Sequence, residues 1–334
     1  MSFNFKNLKR KPYIIAEIGN NHNGKMFLAK KMMLAAKKAG ADCVKFQTFS
    51  TNSLFSKKFL EKNIRLRNQS NKYTLKLNDF ITLKKYARTI KIDFTATPFS
   101  FKEADFLINK LKVKIIKIAS MDLNNYPLIE YIAKKKVPVI LSTGFGTNNE
   151  IKKAVFILKK KKVKFSLLHC ISEYPPIDKK LNIKRIKSLA KSYSVPIGFS
   201  DHSIGFDASL TALALGAKII EKHFTLNKKM DGWDHAISAN PLELKIICNF
   251  SKKINSILGK SKIYRTETNS NVIKFRRSIV AAKNIKLGSK IKFVDLDYKR
   301  PGDGISPSEY KKLIGKKTKR NIDIDEQILP KHLR

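Results

Sequence analysis

Eight short apolar runs, each followed by a longer amphipathic stretch, constrain this chain more than any other feature. The runs are 12–17 (PYIIAE), 42–47 (DCVKFQ), 92–96 (IDFTA), 114–119 (KIIKIA), 137–142 (VPVILS), 163–169 (VKFSLLH), 195–199 (VPIGF) and 218–223 (KIIEKH). They are rich in β-branched residues and apolar on both faces, the pattern of strands covered on both sides. Between them, apolar positions at helical spacing predict helices over 26–40, 79–90, 100–110, 124–135, 148–160, 181–192, 206–216 and 241–257. Eight strand–helix units in about 250 residues predict an α/β fold, a (β/α)8 barrel, with an open doubly wound sheet as the alternative.

The pattern stops near residue 258. At about 150 residues per domain, 334 residues suggest about two domains. Residues 1–258 read as the barrel, 259–275 as a polar, irregular linker, and 276–334 as a small, mainly β module with the turn KRPGDGIS. Residues 48–78 form a long polar insertion after the second strand, either an active-site loop or a surface excursion.

Composition narrows the class. With 69 Lys and Arg against 26 Asp and Glu, the formal charge is +43. That invites a nucleic-acid reading. The lysines are spread along the whole chain and concentrate on helical segments, as a solvated face would place them, so no nucleic-acid partner is expected. A basic surface also speeds encounter with anionic substrates. Three scattered cysteines, Cys43, Cys170 and Cys248, make no disulfide framework and point to a reducing cytoplasm. No run approaches the ~18 apolar residues of a membrane span, and the N-terminal stretch lacks a secretion signal.

In a barrel the C-terminal strand ends carry the site. Here polar residues interrupt the apolar runs at that end of every predicted strand: Glu17, Lys45 with Gln47, Thr97, Lys117 with Ser120 and Asp122, Ser142, Ser172 to Tyr174, Ser200 with His202, and Glu221 to His223. Burying such groups without partners is costly, so their recurrence points to a function. Lys45 and Lys117 converging at one mouth suit a phosphate, with Thr97, Ser120, Ser142 and Ser200 as hydroxyl donors; the alternatives are pairing with buried carboxylates or a Schiff base. His202 and His223 end adjacent strands and suit an exchangeable divalent metal, or a hydrogen-bonded structural role. Glu17 and Asp122 are the acid–base candidates. Asp234, after the last strand, suits a hydroxylated substrate or a turn. His169 lies inside a strand and reads as core; His235 reads as orienting its neighbour.

Together the segments resemble the sialic acid synthase family, N-acetylneuraminate synthase and its legionaminate- and pseudaminate-making relatives. The resemblance covers about residues 12–332. It rests on AEIGNNHNG (16–24), VKFQ (44–47), TPFS (97–100), KIAS (117–120), STG (142–144), HCISEYP (169–175), GFSDH (198–202), EKHF (221–224), GWDH (232–235) and KRPGDGI (299–305), in that order.

The resemblance implies a barrel followed by an antifreeze-like (SAF) domain over 276–334, in a domain-swapped homodimer. It also implies a reaction. Phosphoenolpyruvate (PEP) condenses with an open-chain N-acyl amino sugar, N-acetylmannosamine first, giving a nine-carbon keto acid and phosphate, with Mn2+ or Mg2+ as cofactor. By residue-to-residue match, His202 and His223 hold the metal. Lys45, Thr97, Lys117, Ser120, Ser142, Ser172 and Ser200 grip PEP. Gln47, Tyr174, Asp234 and Arg300 contact the sugar, and Glu17 and Asp122 are catalytic. Three positions depart from the usual pattern: Asp122 for Glu, Ser172 for Asn or Thr, and Trp233 for Pro. Trp233 keeps a 2,4-diacetamido acceptor, and so a legionaminate or pseudaminate product, in play. The competing functions are another PEP-dependent aldol synthase, a non-enzymatic polyanion-binding protein, and an inactive barrel.

Overall fold

The structure, a computed structural model, describes residues 4, 5 and 7–334. The chain divides into two compact units, the first ending at Gly259 and the second running from Lys260 to Arg334. Among the described residues no helix is long and apolar enough to cross a membrane.

The first unit carries eight parallel strands: β1 (Tyr13–Gly19), β2 (Cys43–Thr48), β3 (Asp93–Pro98), β4 (Ile116–Ile118), β5 (Val139–Ser142), β6 (Phe165–Cys170), β7 (Ile197–Asp201) and β8 (Ile219–His223). Their order is β3-β2-β1-β8-β7-β6-β5-β4. The ends of that row meet where Thr95 Oγ1 donates to the Ile115 carbonyl at 2.6 Å, so the sheet is a nearly closed barrel rather than an open one. Helices cover its outside: α1 (Met26–Ala39), α2 (Thr51–Leu54), α3 (Lys57–Lys62), α4 (Ile64–Tyr73), α5 (Leu77–Thr89), α6 (Phe101–Asp105), α7 (Tyr126–Lys134), α8 (Asn148–Lys160), α9 (Arg185–Tyr193), α10 (Asp207–Ala214) and α11 (Pro241–Leu258).

Local chemistry sets these elements. In α8, Thr147 caps the first turn by accepting from Glu150 N at 3.3 Å, and Glu150 accepts from Thr147 N at 2.8 Å. Such a capping box contributes about 1 kcal/mol. Ile151, Ala154, Val155 and Leu158 then fall on one buried face, the i, i+3, i+4, i+7 spacing that docks a helix on a sheet.

Strand parity builds the interior. Ile15, Cys43, Ile115, Ile140, Leu168 and Ile219 form one apolar layer inside the barrel, packed with Leu8. Two residues further along each strand the side chain again points inward. Those positions are Glu17, Lys45, Lys117, Ser142, Cys170 and Glu221. An apolar plug therefore carries a polar layer directly above it, toward the C-terminal mouth.

Three readings need correction. The insertion at 48–78 is not a plain loop. Ser50 and Ser56 cap α2 and α3, and with α4 the segment forms three short helices. The helix expected over 100–110 is α6 followed by a π-helical turn at Phe106–Lys110. The segment 259–275 holds a further helix, α12 (Asn269–Phe275), capped by Thr268 and with no buried residue, which is why its apolar period is invisible in the sequence.

The second unit has its own core, built on Ile279, Ala281, Ile285, Ile291, Leu296, Leu313, Ile322, Ile328 and Leu333. Strands β9 (Ser278–Ala281) and β10 (Leu296–Lys299) pair antiparallel, Ser278 opposite Lys299. The remainder is short turns.

Candidate active site

The polar layer opens into a cavity of about 470 Å3 at the C-terminal end of the barrel. Its size suits one or two small ligands. Its floor is an array of buried charges. Lys45 Nζ lies 2.7 Å from Glu17 Oε2 and 3.8 Å from Glu221 Oε1, and it donates to Thr97 Oγ1 at 3.1 Å. Lys117 Nζ lies 3.7 Å from Glu221 Oε1 and donates to Ser142 Oγ at 2.6 Å and to the Ile118 carbonyl at 2.9 Å. Ser200 Oγ donates to Glu221 Oε1 at 3.2 Å. Both lysines thus converge at one mouth, and both are paired with buried carboxylates.

Both Glu17 oxygens and Glu221 Oε2 are buried with no hydrogen-bond partner of ordinary geometry. A buried array this incompletely satisfied is expected where a ligand completes it. Burial pushes the Glu17 carboxyl up to about 7 against the pull of Lys45. Burial also works to raise Glu221, but the ammonium groups of Lys117 and Lys45 outweigh it and hold that carboxyl below the usual range. Lys117 is lowered by burial and by Lys45. The two carboxyls are shifted in opposite directions, Glu17 up and Glu221 down, the pattern of an acid–base site.

Above the lysines stand two imidazoles. The rings of His202 and His223 lie 5.5 Å apart, and Tyr174 stacks on His202 at 4.1 Å. His202 Nδ1 faces the Ile171 carbonyl at 2.9 Å, which orients the ring and leaves Nε2 as the basic nitrogen. His223 Nδ1 is buried, makes no hydrogen bond, and lies 3.6 Å from Asp234 Oδ2. Burial, His202 and Lys45 hold His223 well below the usual range, whereas at His202 burial is outweighed by the Cys170 thiol and the Ile171 carbonyl, which push the ring up, so His223 is the more readily neutral of the two imidazoles. Among the described residues no three His, Cys, Asp or Glu side chains form a closed metal cage. Two imidazoles with an orphaned nitrogen fit a weakly held divalent ion whose other positions fall to substrate and water.

Of the residues singled out in the sequence, Glu17, Lys45, Gln47, Thr97, Lys117, Ser120, Ser142, Ser172, Tyr174, Ser200, His202, His223 and Asp234 line this one cavity. Ser120 Oγ accepts from Gly144 N at 3.1 Å. Asp122 does not line it. It is buried on the turn Ser120–Asp122, with Oδ1 accepting from Asn125 at 3.0 Å and Oδ2 without a partner. Arg300 belongs to the second unit, where its guanidinium lies 5.3 Å over the Phe275 ring. Beside Glu17 and Asp234 the cavity holds a third carboxylate, Glu221, which the sequence reading noted at the end of the eighth strand without giving it a role. Strand parity carried the signal: Glu221 is two residues before His223 on β8 and so faces the same interior. His169 is core as expected, bonded to the Leu181 carbonyl at 2.6 Å and stacked on Phe199. His235 is anchored to Thr225 Oγ1 at 2.6 Å.

Fold and cavity define a class: a (β/α)8 barrel that gathers paired lysines, carboxylates and imidazoles at its C-terminal mouth, the end where such barrels carry their sites. The comparisons narrow it. The NeuB family model matches residues 32–263 and the SAF domain model matches 276–334. The chain therefore belongs to the NeuB family and ends in an SAF domain. It is 39% identical over 334 residues to the N,N'-diacetyllegionaminic acid synthase of Campylobacter jejuni, covering 96% of this chain and 99% of that one. It is 34% identical to the enzyme of that name from Legionella pneumophila, covering 96% and 94%. The crystal structure of an N-acetylneuraminic acid synthetase from Leptospira borgpetersenii superposes with a TM-score of 0.73 at 38% identity, covering 78% of this chain and 90% of that one.

Proposed function

We propose that the protein condenses PEP with an open-chain N-acyl amino sugar and water, releasing phosphate and a nonulosonic acid. The observation that carries this is the floor of the cavity. Two buried ammonium groups and the hydroxyls of Thr97, Ser120, Ser142 and Ser200 form a cradle for a small polyanion directly beneath two imidazoles. N-acetylmannosamine and 2,4-diacetamido sugars are the candidate acceptors.

The residues divide the work. Lys45 and Lys117 neutralise the phosphate and carboxylate of PEP and fix its C3 toward the acceptor carbonyl. C3 attacks that carbon, C2 becomes cationic, water adds at C2, and the adduct loses phosphate by C–O cleavage. Glu221, ionised, stabilises positive charge at C2 and receives a proton from the incoming water. Glu17, near neutrality, gives a proton to the new alkoxide. Asp122, with one buried oxygen lacking a hydrogen-bond partner, is the remaining carboxylate assigned to proton movement. Gln47, Tyr174, Asp234 and Ser172 hold the substrates in register. His202 and His223 would hold Mn2+ or Mg2+. When bound, such an ion supplies Lewis-acid polarisation of the acceptor carbonyl. Arg300 is assigned to the sugar from a second copy in a domain-swapped homodimer, an assignment supported by the resemblance of KRPGDGI.

Lys117→Met tests the reading. It should lower kcat/KM for PEP at least about 100-fold, the loss of a buried charge contact of about 3 kcal/mol, with the fold retained. Unchanged use of PEP would overturn the cradle.

A further inference from the structure

Behind the two imidazoles lies a charged pair that the cavity does not use. Asp201 is the last residue of β7 and Lys222 the last but one of β8, and they stand opposite each other in the parallel ladder. Strand parity turns both outward, toward the covering helices. The other outward positions of these two strands, Ile197, Phe199 and Ile220, belong to the apolar core. Lys222 Nζ nevertheless lies 3.1 Å from Asp201 Oδ2, with both side chains wholly buried. Neither residue lines the cavity.

An ion pair in that layer adds little to stability over two apolar residues of like volume, because both ions leave water. What it supplies is a fixed distance and direction, and here the surroundings use both. Asp201 Oδ1 accepts from Ser203 N at 2.9 Å and from Ser203 Oγ at 2.6 Å. Asp201 Oδ2 accepts from Ser209 Oγ of α10 at 2.6 Å. Lys222 Nζ also donates to the Ser203 carbonyl. Ser203 is thus held at its amide from β7 and at its carbonyl from β8. His202 is the residue between Asp201 and Ser203, and His223 is the residue after Lys222. One ion pair therefore ties together the backbone on which both imidazoles stand, their rings 5.5 Å apart. The rings have less to hold them directly: His202 has the Ile171 carbonyl, and His223 Nδ1 has no hydrogen bond.

Resting on the reading of His202 and His223 as the metal pair, we propose that Asp201 and Lys222 are positioning residues that set the separation and aim of those imidazoles by clamping the ends of β7 and β8 from the helix side. The clamp acts through backbone and makes no contact with a ligand.

The test compares the parent with Lys222→Met and with a double variant, Asp201→Asn with Lys222→Met. The single variant strands a buried carboxylate and should lose stability as well as function. The double variant removes both charges. Its new amide still accepts from Ser203, so the turn is kept and only the tie between the strands is cut; its urea midpoint should lie close to the parent's. Two readouts follow: 1H–15N spectra of the histidine rings, and binding of Mn2+ alone, counted by electron paramagnetic resonance. In the double variant the His202 and His223 ring signals should move while that of His22 stays, and Mn2+ affinity should fall at least about ten-fold, the scale for losing the support of a metal-binding histidine. Unmoved ring signals, or Mn2+ affinity that recovers with stability in the double variant, would overturn the clamp and leave the pair a structural one. Ring signals that move in a protein whose parent form binds no Mn2+ would uphold the clamp and overturn the metal reading.

Discussion

At the scale of the residue, the protein holds two carboxylates within reach of the same lysine and drives them apart in proton affinity. Folding favours the protonated form of Glu17, whose ordinary value is 4.5 and whose folded value is about 7. That contribution is fully present below about pH 4.5 and is lost as pH rises through about 7. Glu17→Gln cannot titrate. Its stability relative to the parent should therefore rise by on the order of 3 kcal/mol between pH 4.5 and 8, as read from urea midpoints. A difference independent of pH would contradict the assignment. Glu221 and Asp122 are separated by a second comparison. Glu221→Gln leaves Lys45 and Lys117 short of a buried counter-charge and should lower turnover by at least about 100-fold. Asp122→Asn, outside the cavity wall, should cost about ten-fold or less. The reverse order would show that Asp122 is the principal carboxylate. The sequence exposed most of these residues, because a Lys or Glu inside a run such as KIIKIA or KIIEKH must find a buried partner, although Lys222 of the second run finds its partner in Asp201, 3.1 Å away and outside the cavity. It did not rank them, since inward facing becomes visible only once strand parity is counted from the apolar layer.

At the scale of the element, the strands and covering helices were legible because burial on both faces and the 3.6-residue period are properties of composition along the chain. The insertion was not. Helices α2 to α4 are short, polar and held by serine caps and side-chain ties, so no apolar period marks them. The loop after β5 shows how backbone and site depend on each other. A Cβ at Gly144 would lie 2.3 Å from Ser172 Oγ and 2.7 Å from Ser120 Oγ. Gly144→Ala should therefore displace both hydroxyls and raise KM for PEP about ten-fold or more, with global stability lowered by about 1–3 kcal/mol. An unchanged KM would remove Ser120 from the PEP cradle and Ser172 from contact with PEP.

At the scale of the whole molecule, two units each with an apolar core stand on one chain of charge +43. The charge is distributed rather than gathered at the cavity, where carboxylates offset the lysines. Binding to DNA should accordingly be weak, steeply salt-dependent and unchanged by Lys117→Met. Arg300→Ala should raise KM for the sugar at least ten-fold and spare KM for PEP; equal effects on both would detach Arg300 from sugar recognition. The central claim is that the buried lysine–carboxylate floor and the two imidazoles above it form a PEP-condensing site. The most direct measurement is phosphate release from PEP with Mn2+ and an acceptor sugar, beside an EDTA control and the His223→Ala variant. Acceptor-dependent release, lost on chelation and in the variant, is the predicted result. No release with either acceptor, or release indifferent to both chelation and His223, would contradict it.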